Sequence, residues 1–256
     1  PPTNNFTVSE TTAGTSVYSL TSHDSNTCVI TETVSLDFVP NPTLSVANVS
    51  ICPLETGTLV ATGASNYSWS TGSNNASATD NPLSTTVYTV TGEALSCTSS
   101  NTASIILKNP PLVLIYSNSP SCEGSALNFV TNGGSAFLWD GPLSFTSNVA
   151  NPVIDTILPA QAGVYHVTVT AANSCTGSAS HTVQVNPSPT LSATGSTVCS
   201  SQTLLLNVSS VPGATFQWNG PNNFNSTLQN PSIGKPSLNA TGDYTIKVTD
   251  ALTCTN

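Results

Sequence analysis

Residues 162–170 read AGVYHVTVT, and residues 241–249 echo them as TGDYTIKVT. In each stretch the apolar side chains fall on alternate positions: Tyr165, Val167 and Val169 in one, Tyr244, Ile246 and Val248 in the other. Successive side chains of an extended strand point to opposite faces, so this spacing buries one face and turns His166 or Lys247 to water. The glycine two places ahead of each tyrosine lets the chain turn tightly into the strand. No segment keeps a helical apolar period, and the fold class is therefore all-β.

Working outward from those tyrosines gives a repeat. Three segments each carry a cysteine, then an aromatic-x-Trp, then the tyrosine, then a second cysteine nine or ten residues later. They are Cys52, Trp69, Tyr88 and Cys97; Cys122, Trp139, Tyr165 and Cys175; and Cys199, Trp218, Tyr244 and Cys254. Residues 1–42 hold only the second half of a further copy, with Tyr18 and Cys28. Pro-bearing junctions at Pro40-Asn41-Pro42, Asn109-Pro110-Pro111 and Asn186-Pro187-Ser188-Pro189 set the domains at 1–42, 43–110, 111–187 and 188–256. Short Pro-rich spacers are semi-rigid, which predicts an elongated rod with little bending between repeats. The first segment lacks an opening cysteine and Trp, and the last stops before a strand like 102–107. We therefore expect the parent chain to continue in both directions.

A Trp on an early strand, followed by Gly-x-Tyr ahead of a later one, resembles the core Trp and tyrosine corner of an immunoglobulin-like sandwich. On this reading Trp69, Trp139, Trp218, Tyr18, Tyr88, Tyr165 and Tyr244 are core residues. The last two full copies share Trp-x-Gly-Pro-x-x-Phe (Trp139, Gly141, Pro142, Phe145; Trp218, Gly220, Pro221, Phe224) and then Asn-Pro-x-Ile at 151–154 and 230–233. With Cys-Glu-Gly-Ser at 122–125, these motifs resemble the tandem immunoglobulin-like and PKD-like repeats of large cell-surface proteins of Bacteroidota exported by type IX secretion. Nearly the whole chain shares the likeness, and the giant adhesins of gliding bacteria resemble it most. The resemblance implies an extracellular filament or stalk with a structural or adhesive role. Repeats of this kind also serve as passive spacers beside other domains.

Composition narrows the function classes. Charged residues are 6% of the chain against about 25% in an average globular protein, and Ser, Thr and Asn supply the polarity instead. Hydrophobic residues at 38%, in alternating runs, are enough to bury a core, which argues against disorder. Three lysines, no arginine and a net charge of −9 exclude nucleic acid as partner and disfavour an anionic membrane surface. The longest apolar runs, such as 110–116, are too short to span a bilayer, and no membrane insertion is expected here. The expected partners are neighbouring repeats of the same chain, lateral copies of it, and a surface polysaccharide or a host or abiotic surface.

Catalytic and ligand-binding groups are sparse. Ser22, His23 and Asp24 are adjacent in sequence and read as a polar loop, because a triad needs its members brought in from separate positions. His166 and His181 lie at different repeat positions, there is no HExxH or EF-hand pattern, and no enzymatic activity is expected. Asp80-Asn81 and Asp140 are candidate ligands for a junctional Ca²⁺, though one acid per loop is a thin ligand set. No other cofactor is implied, and lysines hold no consistent position for a Lys–Asn crosslink. Phe145 and Phe224 follow Gly-Pro in an apparent hairpin; exposed, they would offer an aromatic platform to a carbohydrate or receptor, and buried they would not. Sequons including Asn66 and Asn207 are candidate glycosylation sites, and Asp155-Thr156-Ile157 resembles the O-glycosylation signal of the same bacterial group.

Seven cysteines without a CxxC pair point to disulfides in an oxidising, extracellular compartment. Two pairings are open. Spacing suggests Cys52–Cys97, Cys122–Cys175 and Cys199–Cys254, each closing a loop of about 50 residues and contributing roughly 4 kcal/mol. The strand order of an immunoglobulin-like sandwich favours the other. It puts the first cysteine at one end of a domain and the second at the opposite end, roughly 20 Å away, while a disulfide needs Cα atoms within about 7 Å. Head-to-tail stacking then predicts interdomain bonds Cys52–Cys175 and Cys122–Cys254, leaving Cys28, Cys97 and Cys199 to partners outside this stretch.

Overall fold

The computed structural model describes residue 8, residues 13–23, residue 26 and residues 28–256. Its regular elements are strands and single 3₁₀ turns, in two compact units, Pro1–Asn109 and Pro110–Asn256. The fold is all-β, built of immunoglobulin-like β-sandwich repeats.

The first unit opens with an antiparallel hairpin of β1 (Gly14–His23) and β2 (Val29–Phe38), in register from Gly14–Phe38 to His23–Val29. Ser22 and His23 thus belong to a strand and not to a loop as expected, while Asp24 lies outside the described residues. Tyr18 also departs from expectation: it is half-buried and joins no core cluster. Among the described residues β1 and β2 form a two-stranded sheet, and a single ribbon does not enclose a ring.

The rest of this unit comprises β3 (Ser45–Val46), β4 (Val49–Ile51), β5 (Gly57–Thr62), β6 (Asn66–Trp69), β7 (Ser77–Asp80), β8 (Thr86–Ala94) and β9 (Cys97–Leu107). One sheet has the order β3-β5-β7 and the other β4-β9-β8-β6. The opening strand is split, so that β3 pairs antiparallel with β5 while β4 runs parallel to β9 on the opposite sheet. The inner faces meet on Leu59, Trp69, Tyr88, Val90 and Ile105, all buried. In β5 burial alternates strictly, with Gly57, Leu59 and Ala61 inward.

In the second unit the pattern recurs as β10 (Ile115–Ser117), β11 (Ser121–Cys122), β12 (Leu127–Thr131), β13 (Ala136–Gly141), β14 (Phe145–Ser147), β15 (Val153–Ile154), β16 (Gly163–Thr170), β17 (Thr176–Val183) and β18 (Val185–Asn186). The sheets are β10-β12-β15 and β14-β13-β16-β17, with β11 parallel to β18. A third set follows: β19 (Ala193–Gly195), β20 (Thr203–Val208), β21 (Thr215–Gly220), β22 (Phe224–Ser226), β23 (Ser232–Gly234) and β24 (Thr245–Thr249), in sheets β19-β20-β23 and β22-β21-β24. Each set has its own core, the first around Trp139 and Tyr165 and the second around Trp218, Leu206 and Val208.

Two sequence motifs lock together in these cores. Tyr165 donates its hydroxyl to the Gln161 carbonyl at 2.9 Å, and Tyr244 does the same to Ala240 at 2.9 Å, forming tyrosine corners. The flat side of each ring lies on the glycine of Trp-x-Gly-Pro: a Cβ on Gly141 would sit 2.5 Å from Tyr165 Cδ1, and one on Gly220 would sit 2.3 Å from Tyr244 Cδ1. The adjoining Pro142 and Pro221 pack on Gly163 and Gly242, whose φ values of +145° and +146° favour glycine in any case. Trp139 and Trp218 close the assembly by donating Nε1–H to the carbonyls of Val149 and Gln229. Tyr88 in the first unit departs from this plan, since its hydroxyl goes to Asp80 Oδ2 at 2.6 Å.

Candidate functional site

The best-built constellation is the junction between the second and third sets of strands, where the chain passes from β18 through Pro187, Ser188 and Pro189 towards β19. Cys122 stands at the end of β11, level with Asn186 of β18 in a parallel pair. The turn after it is closed by its own carbonyl, which accepts from Ser125 N at 3.1 Å, and Glu123 N donates to Asn186 O at 2.8 Å. Glu123 then grips the linker: its Oε2 accepts from Ser188 N at 3.2 Å and its carbonyl from Ser188 Oγ at 3.5 Å. On the far side, Asn256 Nδ2 donates to Pro189 O at 2.9 Å.

A disulfide spans this junction. Cys122 is bonded to Cys254, 132 residues away, with the Cα atoms 5.4 Å apart. Cys254 is fully buried, at the tip of the turn that follows β24. Asp250 shapes that turn, its Oδ1 accepting from Leu252 N at 2.9 Å and from Cys254 N at 2.8 Å. Thr253, just before the cysteine, has φ 66°. Two separately packed cores are thus joined by a short linker, a set of backbone-directed hydrogen bonds and one covalent bond.

The parts of this junction recur. Ser96, Ser174 and Thr253, each preceding a second cysteine, have φ values of 65°, 69° and 66°. Asn173 caps Cys175 N at 3.0 Å as Asp250 caps Cys254. The residue two places after each second cysteine meets a prolyl carbonyl of the preceding linker: Ser99 Oγ donates to Pro42 O at 2.5 Å, Asn256 Nδ2 to Pro189 O, and a Cβ on Gly177 would stand 2.4 Å from Pro111 O. Cys97 lies with its sulfur 3.8 Å from Val39 O, as the Cys254 sulfur lies 4.0 Å from Asn186 O. Cys52 follows β4, whose Ile51 carbonyl accepts from Lys108 N at 2.9 Å, and its own N–H is capped by Glu55 Oε2 at 2.8 Å. Cys52 and Cys175 are half-cystines, whereas Cys97 and Cys199 are thiols and Cys28 is exposed.

Sequence reasoning overlooked these helpers. The signal was present as Cys-x-x-Glu at 52–55, Cys-x-x-Ser at 122–125 and Cys-x-x-Gln at 199–202, where the fourth residue closes a turn on the cysteine, Gln202 Oε1 accepting from Cys199 N at 3.2 Å. Asn173 and Asp250 carry a weaker signal, an Asx residue two or four places before the second cysteine.

The other candidates are dispersed. Phe145 and Phe224, named as ligand contacts in case they were exposed, turn back towards the tyrosine corners. Both are half-buried, and Phe145 meets Tyr165 edge-on at 5.3 Å as Phe224 meets Tyr244 at 5.5 Å. Each ring completes the Gly-Pro and tyrosine-corner lock, which explains its place in the motif. Asp80 is also committed internally: Oδ2 accepts from Tyr88 and Oδ1 from Asn81 N at 2.8 Å. The Tyr88 hydroxyl first, then the Asn81 N–H, holds its carboxyl below the ordinary value, while burial, followed by Asp80 itself, raises the Tyr88 phenol. Burial also raises Tyr165. Asp140 is exposed, and among the described residues no three His, Cys, Asp or Glu gather as a metal site.

His181 Nε2 lies 2.9 Å from Ser117 Oγ, which also accepts from Ser119 N, and the pair ties β17 to β10. Thr156, Asn66 and Asn207 are exposed. No described helix is long and apolar enough to cross a membrane.

No family model matches this chain, and no curated protein matches it. Solved structures do. An I-band fragment of titin is 13% identical, with 85% of this chain and 98% of that one covered, at a TM-score of 0.40. The N-terminal eight Ig domains of the Down syndrome cell adhesion molecule are 11% identical, covering 94% of this chain and 44% of that one, at 0.39. Murine CEACAM1b is 17% identical over 55% of this chain and 93% of its own, at 0.27. At such scores the likenesses add nothing about function, and the immunoglobulin-like fold stands on the split first strand, the sheet orders and the tyrosine corners.

Proposed function

We propose that this chain is a structural or adhesive segment of a long extracellular surface filament or stalk, in which immunoglobulin-like repeats are stapled head to tail. The observation that carries the reading is the Cys122–Cys254 bond, which links the cores around Trp139 and Trp218 instead of closing a loop within either. A bond inside one domain stabilises that domain; a bond between neighbours resists their separation and fixes their relative orientation. Cys52 and Cys175 hold the corresponding repeat positions, and the same rule pairs them. Domains at 1–42, 43–110, 111–187 and 188–256 follow from the spacing of these parts. Cys28, Cys97 and Cys199 are assigned by position to repeats outside this stretch.

Several further features fit the reading. A surface rich in Ser, Thr and Asn, carrying few charges but a net −9, suits a soluble filament exposed to variable ionic conditions. Disulfides are consistent with a location outside the reducing cytosol. The motif resemblance points to a Bacteroidota surface adhesin exported by type IX secretion, with Thr156, Asn66 and Asn207 available to glycosylation and a polysaccharide or solid surface as the partner. A junctional Ca²⁺ at Asp80 or Asp140 is not part of the proposal, because Asp80 is spent on Tyr88. Small-angle scattering of the full chain, oxidised and with Cys122→Ser and Cys254→Ser together, tests the mechanical role. The staple predicts a narrow distribution of shapes that widens in the double variant; identical distributions would remove it.

A further inference from the structure

Three dipeptides in this chain place a glycine directly after an Asn or Asp: Asn132-Gly133, Asp140-Gly141 and Asn219-Gly220. A glycine carries no side chain to shield its nitrogen, so that nitrogen can reach the preceding Cγ and close a five-membered imide. The motif is alike in all three, but the settings differ. Asp140-Gly141 and Asn219-Gly220 lie inside strands. Asp140 is paired with Thr146 and His166, Asn219 with Asn225 and Thr245, and the glycines, at φ −176° and −166°, with Phe145 and Phe224. Tyr165 and Tyr244 lie against those glycines, and Asn219 Oδ1 accepts from Asn225 Nδ2 at 3.3 Å. Cyclisation there would bend the backbone out of the ladder, so the strands must open first.

Asn132-Gly133 stands in the open. Both residues are exposed and belong to the connection between β12 and β13. Gly133 has φ +96°, and a Cβ there would lie 2.8 Å from Leu112 O, so the turn requires glycine. Asn132 Oδ1 accepts from Leu114 N at 3.0 Å, while Nδ2 has no partner among the described residues. That bond draws electron density onto the oxygen, where negative charge develops as Cγ is attacked, and leaves the amide nitrogen free to depart. An unshielded nucleophile, a polarised carbon and a free leaving group meet at this one dipeptide.

We infer that Asn132 is a site of spontaneous deamidation directed by this turn. The Gly133 nitrogen gives up its proton to solvent hydroxide and bonds to Asn132 Cγ; the Cγ–Nδ2 bond breaks, and the nitrogen leaves as ammonia after taking a proton from water. A water molecule then opens the imide at either carbonyl, leaving aspartate or isoaspartate at position 132. The product matters because Asn132 is a clip. With Thr131 Oγ1, which donates to Leu114 O at 2.8 Å, it fastens the start of the repeat, where Val113 is buried, to the β12–β13 connection. Isoaspartate routes the backbone through the former side chain and removes the clip. In the third repeat Ser209 Oγ accepts from Ser192 N at 3.1 Å in the same role, with no amide to lose. Of these two repeats only the second carries the ageing mark.

The test incubates the full oxidised chain at mildly alkaline pH and maps its peptides by mass, with isoaspartyl methyltransferase labelling to identify isoaspartate. The folded chain should convert Asn132 at least about tenfold faster than Asn219, and the difference should vanish in guanidinium, where both dipeptides are free. Equal rates in the folded chain, or an Asn132 that resists when folded and converts only when unfolded, would overturn the inference. In the converted fraction the Leu114 amide should exchange at least about tenfold faster, and unchanged exchange there would overturn the loss of the clip. Asn132→Ser, copying Ser209, should abolish the labelling of this peptide and keep Leu114 protected. Labelling that persists there would place the reaction elsewhere and overturn the assignment.

Discussion

Gly141→Ala probes the lock that holds each later repeat together. The new Cβ would lie 2.5, 2.7 and 3.2 Å from Cδ1, Cε1 and Cγ of Tyr165. Gly141 has φ −176°, an extended conformation open to any residue, so the whole cost is steric. The ring has nowhere to go: it is fully buried, bonded to Gln161 O, and wedged between Phe129 at 4.8 Å and Phe145 at 5.3 Å. Overpacking a tight core costs about 1–3 kcal/mol, and this geometry belongs at the upper end. For a domain of this size that lowers the melting temperature by roughly 10–20 °C. Hydrogen exchange of residues 163–170 during heating isolates this repeat from its neighbours. Gly234→Ala, with nothing within 4 Å of the added atom, is the control and should change little. Combined with Tyr165→Leu, which removes the flat ring, Gly141→Ala should cost far less than it does alone. A shift below about 1 kcal/mol, or strict additivity with Tyr165→Leu, would refute the packing argument.

Other outcomes follow from the same structure. Because Tyr88 and Asn81 lower the Asp80 pKa in the folded state, their stabilisation is present above the ordinary value of 3.8 and is lost as pH falls through the folded value. Tyr88→Phe should therefore weaken the first unit at neutral pH and lose its effect in strong acid, read by urea unfolding across that range. The raised phenols of Tyr88 and Tyr165 stabilise below pH 10 and cease to do so as pH climbs through their folded values, so ultraviolet titration comparing Tyr88→Phe and Tyr165→Phe with the parent should find these two phenols ionising late, together with unfolding. Thr253→Gly relieves a β-branched residue held at φ 66° and should stabilise the third repeat by about 1 kcal/mol, seen as slower exchange around Cys254. Trp218→Ala, costing about 3–5 kcal/mol, should unfold the third repeat, whose buried cluster centres on Leu206, Val208 and Trp218, and leave β16 protected.

How much of this was legible in the sequence depended on whether the deciding interaction was local. Strict alternation in 165–170 and 244–249 gave the strands, because side-chain direction is set residue by residue. The Trp and Tyr positions gave the cores, since large rings recurring at one repeat position have few other uses. The direction of Phe145 and Phe224 stayed open for the opposite reason. Gly-Pro-x-x-Phe signals a turn and a ring but not which way the ring folds back, and that direction is fixed by Tyr165 and Tyr244 some twenty residues on. Tyr18 failed because a motif names a role that only a second sheet can fill. The linker contact of Glu123 and the turn-capping roles of Asn173 and Asp250 were masked by the abundance of Ser, Thr and Asn, in which one more polar loop residue carries no contrast.

Peptide mapping of the full oxidised chain without reduction tests the central claim most directly. The stapled-repeat account predicts recovery of Cys122 joined to Cys254 and of Cys52 joined to Cys175, with Cys97 and Cys199 open to alkylation. Recovery of Cys52 joined to Cys97, or of Cys122 joined to Cys175, would contradict it and return each bond to the inside of a single repeat.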